Sequence, residues 1–308
     1  MVKRHPLAIE THFDFVFVLT YALPQSILTP LLPSGLTLDC HGEYGFVAVA
    51  CVQTRNMRAK GLPRFLSQDY FLIGYRIFTR YKTIEGRNLR GLYILRSDTD
   101  RQLLVFGGNL FTHYKYHYSK VGHDRADGTL NLSVKSSDGR ADMKIAASIN
   151  EPAASNQHIA DQQTAEQLSA EQLSAEQQSA EQQSAQQQSA EAMTESAHEE
   201  ATGTLPPGSI FTSVRDALKF AGPLPFTFSY EKETGSIIRV EGVRQGWRPR
   251  AVLADVQQLT FLEQQPFNQT KPILCSSFYM EDISYYWKAG ICEKVSDVKS
   301  ISASEQQG

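Results

Sequence analysis

Residues 165–189 repeat a pentapeptide five times, as AEQLS, AEQLS, AEQQS, AEQQS and AQQQS, and this segment interrupts whatever fold the chain adopts. A five-residue period advances about 140° around a helix at each repeat, so no apolar stripe accumulates on one face. Leu168 and Leu173 are its only large hydrophobic residues. A segment of this kind cannot bury a core, and residues 151–204 read as a low-complexity insertion, disordered or a solvated helix. Glu151-Pro152 on one side and Leu205-Pro206-Pro207-Gly208 on the other serve as its hinges. The core must therefore come from residues 1–150 and 205–295 together, as one discontinuous domain, with 296–308 as a polar tail.

Both flanking portions are dominated by short runs with period-two alternation bounded by Gly, Asp or Pro turns. Before the insertion, Phe46–Val52, Tyr70–Tyr81, Gly91–Arg96, Leu103–Phe106, Leu130–Val134 and Met143–Ile149 read as strands. After it come Phe226–Tyr230, Ser236–Val240, Val252–Leu262 and Ile273–Met280. Helices are few. One short helix is expected after Pro24, and Phe211, Val214 and Leu218 form a helical stripe that Gly222-Pro223 stops. Neither portion carries a complete set of signals for a fold of its own. The pattern predicts a mainly β (α+β) protein built on one closed or nearly closed antiparallel sheet, with Gly107-Gly108 as a tight turn between strands.

The net charge of −3 conceals an uneven distribution. The insertion holds ten acidic residues and no Lys or Arg, which leaves the rest with 30 basic against 23 acidic residues, a balance of +7. Ten Lys and Arg lie between Arg55 and Arg96, against only Asp69 and Glu85. An anionic ligand suits such a body, whereas the scatter of these residues over strands and turns argues against a nucleic-acid footprint. The longest early apolar run, Phe13–Leu23, contains Asp14 and Thr20 and is too short for a membrane span, so no membrane partner is expected. Four cysteines, Cys40, Cys51, Cys275 and Cys292, show neither CxxC pairing nor metal-ligand spacing. They are expected to be free thiols in a reducing cytoplasm. No sequence signal sets an oligomeric state.

The stretch His113-Tyr114-Lys115-Tyr116-His117-Tyr118 carries the sharpest chemical suggestion. Taken as a strand, it puts His113, Lys115 and His117 on one face and the tyrosines on the other. A lysine desolvated among such neighbours can lose its proton and add to a ketone as a Schiff base, whereas an ordinary lysine lies with its stem on apolar surface and its head in water. His113 and His117 lack a third ligand, so no metal site is expected. Arg76 stands amid apolar strand residues. It either anchors a carboxylate inside a cavity through paired hydrogen bonds or pairs with an acid at the sheet surface. Trp247 and Tyr285-Tyr286-Trp287 suit core packing or the lining of a cavity.

Gly74-Tyr75-Arg76-Ile77-Phe78-Thr79 followed by Arg90-Gly91-Leu92-Tyr93-Ile94-Leu95-Arg96-Ser97-Asp98 resembles the YqjF-like family, domain of unknown function 2071, in the acetoacetate decarboxylase-like superfamily. Leu31-Leu32-Pro33-Ser34-Gly35-Leu36, Gly222-Pro223-Leu224-Pro225-Phe226 and Trp247-Arg248-Pro249 extend the likeness in the same order over residues 10–150 and 205–290. The resemblance implies a β-rich, cone-shaped barrel with an internal cavity. The superfamily's decarboxylases use a Schiff-base lysine on a β-keto acid, and Lys115 or, one residue away in register, Tyr114 falls at that place. The resemblance also implies an active-site glutamate, but the Glu-x-Asn-x-Arg pattern here is Leu72-Ile73-Gly74-Tyr75-Arg76, which retains only the arginine. The leading expectation is a protein that binds a small organic acid or ketone, with Arg76, His113, His117 and Trp247 as ligand-binding candidates and no cofactor. The alternatives are a decarboxylase-like enzyme acting through Lys115, and an interaction protein that uses the basic face and the Gln-rich insertion.

Overall fold

The computed structural model describes residues 5–150, 202–220 and 224–295. The repeat, the polar tail and Gly222-Pro223 lie outside the described residues. Before the insertion the strands are β1 (Ile9–Pro24), β2 (Leu36–Leu38), β3 (Cys40–His41), β4 (Tyr44–Ala59), β5 (Gln68–Lys82), β6 (Asn88–Thr99), β7 (Tyr116–Ala126), β8 (Thr129–Ser136) and β9 (Met143–Ser148). After it come β10 (Phe226–Glu231), β11 (Ser236–Gln245), β12 (Arg250–Ala251), β13 (Ala254–Leu259), β14 (Ile273–Trp287) and β15 (Ile291–Lys294). Helices α1 (Gln25–Leu28), α2 (Gln102–Phe111) and α3 (Val214–Leu218) complete the regular elements used below.

Strands β6, β10, β11, β14, β1, β4 and β5 pair in that order, and β5 pairs back to β6, so the sheet closes into a ring. The ring draws strands from both sides of the insertion. A second layer, β13-β9-β8-β7, leaves the ring where β7 runs parallel to β6. The β6–β10 contact is also parallel, so the expected antiparallel sheet is mixed at two places. Both parallel pairings follow long crossovers, one through α2 and one through the insertion, which is the connection that parallel strands require.

Alternate residues of the shared wall face different cores. Phe15, Phe17 and Leu19 of β1, Val47 and Val49 of β4, and Ile73, Tyr75 and Ile77 of β5 pack against Leu130, Leu132, Met143 and Ile145 of the second layer. Val16 and Val18, Ala48 and Ala50, and Phe78 face the barrel interior, closed at one side by Phe211, Leu218 and Phe220. Being buried on both faces, β1 shows a continuous apolar run rather than alternation, which explains why Phe13–Leu23 does not read as a half-buried strand. Ser213 caps α3 by accepting a hydrogen bond from the Asp216 N–H.

One expected strand is a helix. Leu103–Phe106 and Gly107-Gly108 lie within α2, where Leu103, Phe106 and Leu110 follow helical spacing on an exposed face. A four-residue apolar run carries too little periodicity to separate the two states. The stretch from His113 to Lys115 is likewise not strand, because Lys115 has φ 54° and β7 begins only at Tyr116. Asn109 replaces a neighbouring strand here: its side chain accepts from the Tyr116 N–H at 2.7 Å and donates to the Tyr116 carbonyl at 2.9 Å.

Candidate functional site

The barrel interior contains a cavity of ≈ 110 Å³, room for several waters or a small organic molecule. Its walls are largely apolar, from Phe13, Val16, Val18, Ala50, Val52, Phe78 and Leu92. Arg76, Arg244, Tyr114, Tyr116, Tyr285 and Trp247 bring polar atoms to it, and among the described residues no Asp or Glu lines it. A few convergent polar groups on an apolar lining are the usual form of a ligand pocket.

Small neighbours make the space that Arg76 occupies. Across β4 and β5, Ala48 stands opposite Arg76 and Ala50 opposite Gly74. A Cβ on Gly74 would lie 2.5 Å from the Arg76 Nε, so the guanidinium occupies volume that any larger residue would fill. Among the described residues Arg76 makes no salt bridge, and its buried Nε has no hydrogen-bond partner. The other basic residues of the 55–96 stretch are mostly committed. Arg55 binds Asp14 and Asp69, Arg80 and Arg90 share Asp39, and Arg96 binds Asp98 and Asp138. A buried polar group without a protein partner is uncommon in folded proteins, and here it faces the cavity.

The tyrosines are neutral donors. Burial pushes the Tyr116 phenol up to about 12, with Arg76 pulling the other way. Burial also raises Tyr114, opposed by Arg76, and Tyr285, opposed by Arg244 and then Arg76. The Tyr114 hydroxyl is buried beside Thr227 without a well-formed hydrogen bond. The Trp247 Nε1 is a second buried donor with no partner. Burial lowers Arg244 to about 10, and its guanidinium lies 5.0 Å from the Trp247 ring centroid. The cavity is therefore positive at neutral pH and rich in donors, an arrangement suited to an anion with an apolar body.

The sequence candidates divide between the cavity, an outer groove and, for His117, a position outside both. Arg76, Tyr114 and Trp247 line the cavity. Lys115 and His113 line a separate outer groove with Tyr93, Ser229 and Lys232. Lys115 is exposed, its ammonium 5.7 Å from the Tyr93 ring centroid, and partial burial together with Lys232 lowers its pKa. His113 Nε2 faces Glu231 at 3.3 Å, and His117 Nδ1 faces Asp138 at 3.8 Å. Leu72, at the position where the resemblance implies a glutamate, is a cavity wall residue. Tyr116 and Arg244 were not singled out from sequence. Their convergence on Arg76 depends on pairings between strands remote in the chain.

Comparison with solved structures yields the same fold at low identity. Acetoacetate decarboxylase from Legionella pneumophila matches with TM-score 0.52 and 12% identity, covering 93% of this chain and 86% of its own. The enduracididine biosynthesis enzyme MppR, complexed with pyruvate, matches with TM-score 0.54 and 9% identity over 96% of this chain and 93% of its own. An acetoacetate decarboxylase-like enzyme from Sphingomonas wittichii RW1 matches with TM-score 0.51 and 9% identity, over 95% and 93%. No curated protein sequence matches the chain. Among the described residues no helix is long and apolar enough to cross a membrane. The family profile DUF2071, an uncharacterized conserved protein, matches residues 11–205, more than half of the 308 residues. With the order of its sequence segments, its closed β ring and this match in agreement, the chain belongs to the DUF2071 family and has the acetoacetate decarboxylase-like fold.

Proposed function

We propose that the barrel cavity binds a small organic acid, or a ketone bearing a carboxylate, with Arg76 as its anchor. The observation that supports this reading is the Arg76 guanidinium itself, set among apolar walls with no acidic partner among the described residues and with its Nε buried and unpaired there. A carboxylate there would take two parallel hydrogen bonds, while Tyr114, Tyr116 and the Trp247 Nε1 would donate to a carbonyl or hydroxyl. A neighbour of the same fold is complexed with pyruvate, which makes pyruvate and acetoacetate the first probes. Calorimetric titration should give saturable binding that Arg76→Gln weakens at least about tenfold, the loss of a charged hydrogen-bond pair. Equal binding by the variant would remove Arg76 as anchor.

A second reading keeps Lys115 as a Schiff-base nucleophile, favoured by its lowered pKa beside Lys232. In that reaction the amine adds to a ketone, water leaves, and the iminium accepts the electron pair released as carbon dioxide departs. Borohydride with acetoacetate should then leave a reduced adduct on Lys115. An unmodified Lys115 in the digested protein would exclude this reading. Neither reading calls for a cofactor.

A further inference from the structure

A second recess, of ≈ 500 Å³, opens at the rim where the ends of β1, β4, β11 and β14 meet. It shares Arg244 and Tyr285 with the cavity, and these two residues face each other directly across β11 and β14. Gly242 sets their geometry, since a Cβ there would lie 1.8 Å from the Tyr285 hydroxyl. The hydroxyl therefore lies over β11, and the Tyr285 residue lines both spaces. The Arg244 guanidinium, 5.0 Å from the Trp247 ring centroid, stands at the same divide.

The recess is basic beyond its internal pairs. Among the described residues Glu10 is its one acidic lining residue, and Arg58 holds it at 2.5 Å. Lys60 lies over the Tyr286 ring at 5.0 Å, and Arg64 makes no salt bridge among the described residues. Lys60 and Arg64 therefore stand without an ion pair among the described residues, beside the Arg244 that the recess shares with the cavity.

We infer that this recess is the mouth of the cavity and that the ligand is a dianion. One carboxylate sits on Arg76 and a second anionic group, carboxylate or phosphate, sits at Arg244 under the field of Lys60 and Arg64. The inference rests on Arg76 anchoring a carboxylate inside the barrel. Charges on one side of a recess with low-dielectric walls attract and retain a ligand of opposite sign, and this attraction weakens with salt.

The test is calorimetric titration of the full chain with pentanoate, its dicarboxylate counterpart glutarate, and 3-phosphonopropionate, together with the shorter and longer homologues of each acid. At least one chain length should show the dianion binding about tenfold tighter than the monoacid at low salt, an advantage that shrinks from about 20 to about 500 mM salt. Arg244→Gln and the double variant Lys60→Gln with Arg64→Gln should bring the ratio of dianion to monoacid affinity towards one, and Arg244→Lys should partly restore it. A stronger response to 3-phosphonopropionate than to glutarate assigns the mouth to phosphate, and the reverse order assigns it to carboxylate. Equal affinities at every chain length in the unaltered protein, with Arg76→Gln still weakening both, overturn the dianion and leave the Arg76 anchor standing. If no acid of either kind binds, the anchor fails and the dianion fails with it.

Discussion

Arg96 and Arg76 project from adjacent strands on opposite sides of the barrel wall, and among the described residues only Arg96 has an acidic partner. Arg96 points between the two layers, where Asp98 takes it through Nε and Nη2 at 2.7 and 2.8 Å and Asp138 through Nη1 and Nη2 at 2.7 and 3.0 Å. Ser119 Oγ completes the Asp98 shell at 2.8 Å. Arg76 points inward to small residues and apolar walls. The pair shows how an arginine that organises a fold differs from one kept for a ligand: the first has its donors used, and the second has a space built beside it. Alternation of side size reinforces this. Between the layers β4 places Val47 and Val49, and inside the barrel it places Ala48 and Ala50.

The sharpest way to break the comparison is to remove each guanidinium. Arg96→Met leaves Asp98, fully buried, without its counter-charge and should cost about 3–5 kcal/mol in urea denaturation. A cost below about 1 kcal/mol would mean that Arg96 does not hold the layers together. Overfilling comes next. Val49→Leu pushes into the packed core and should cost about 1–3 kcal/mol, whereas Ala50→Val, one residue along on the cavity face, should cost less than about 1 kcal/mol while weakening ligand binding. Equal costs would mean the two faces are equally tight.

Arg76→Met should move stability the other way. It removes a part-buried charge whose Nε has no partner among the described residues, so the ligand-free protein should gain up to about 1 kcal/mol even as it loses binding. A loss of that size instead would show that Arg76 has a structural partner.

How much of this was legible in the sequence follows the same division. Strands buried on one face announced themselves, as Leu130–Val134 and Met143–Ile149 did, because polar residues alternate with apolar ones. The central strand β1 did not, since its two faces serve two cores and erase the alternation. Arg76 stood out as a charge amid apolar neighbours, and Gly74 was visible as a departure from the family pattern, but its spatial role was not. Arg244 gave no local signal, Tyr116 stood in the His113–Tyr118 stretch without being separable from its neighbours, and Lys115 could not be located because its positive φ and the Asn109 clamp on Tyr116 are tertiary facts.

The smallest expected effect concerns acid. Hydrogen bonds from Arg96, aided by the Arg140 N–H and the charge of Arg96 and His117, hold the Asp138 carboxyl well below the usual carboxylate range. Its folded pKa is thus lower than the unfolded value of about 3.9, and below that value the unfolded chain binds the extra proton first. The stability contributed by the pair is present above about pH 4 and is lost as pH falls through the folded value. Asp138 is 32% exposed, so solvent screening keeps this contribution modest. Urea midpoints measured from about pH 5 downward should fall for the unaltered protein, and Asp138→Asn should flatten that decline. Arg76→Met should leave the decline unchanged, because among the described residues no carboxylate pairs with Arg76. If Asp138→Asn keeps the full acid slope, the network on the Arg96 side is not what acid dissolves, and the contrast between the two arginines loses its electrostatic half.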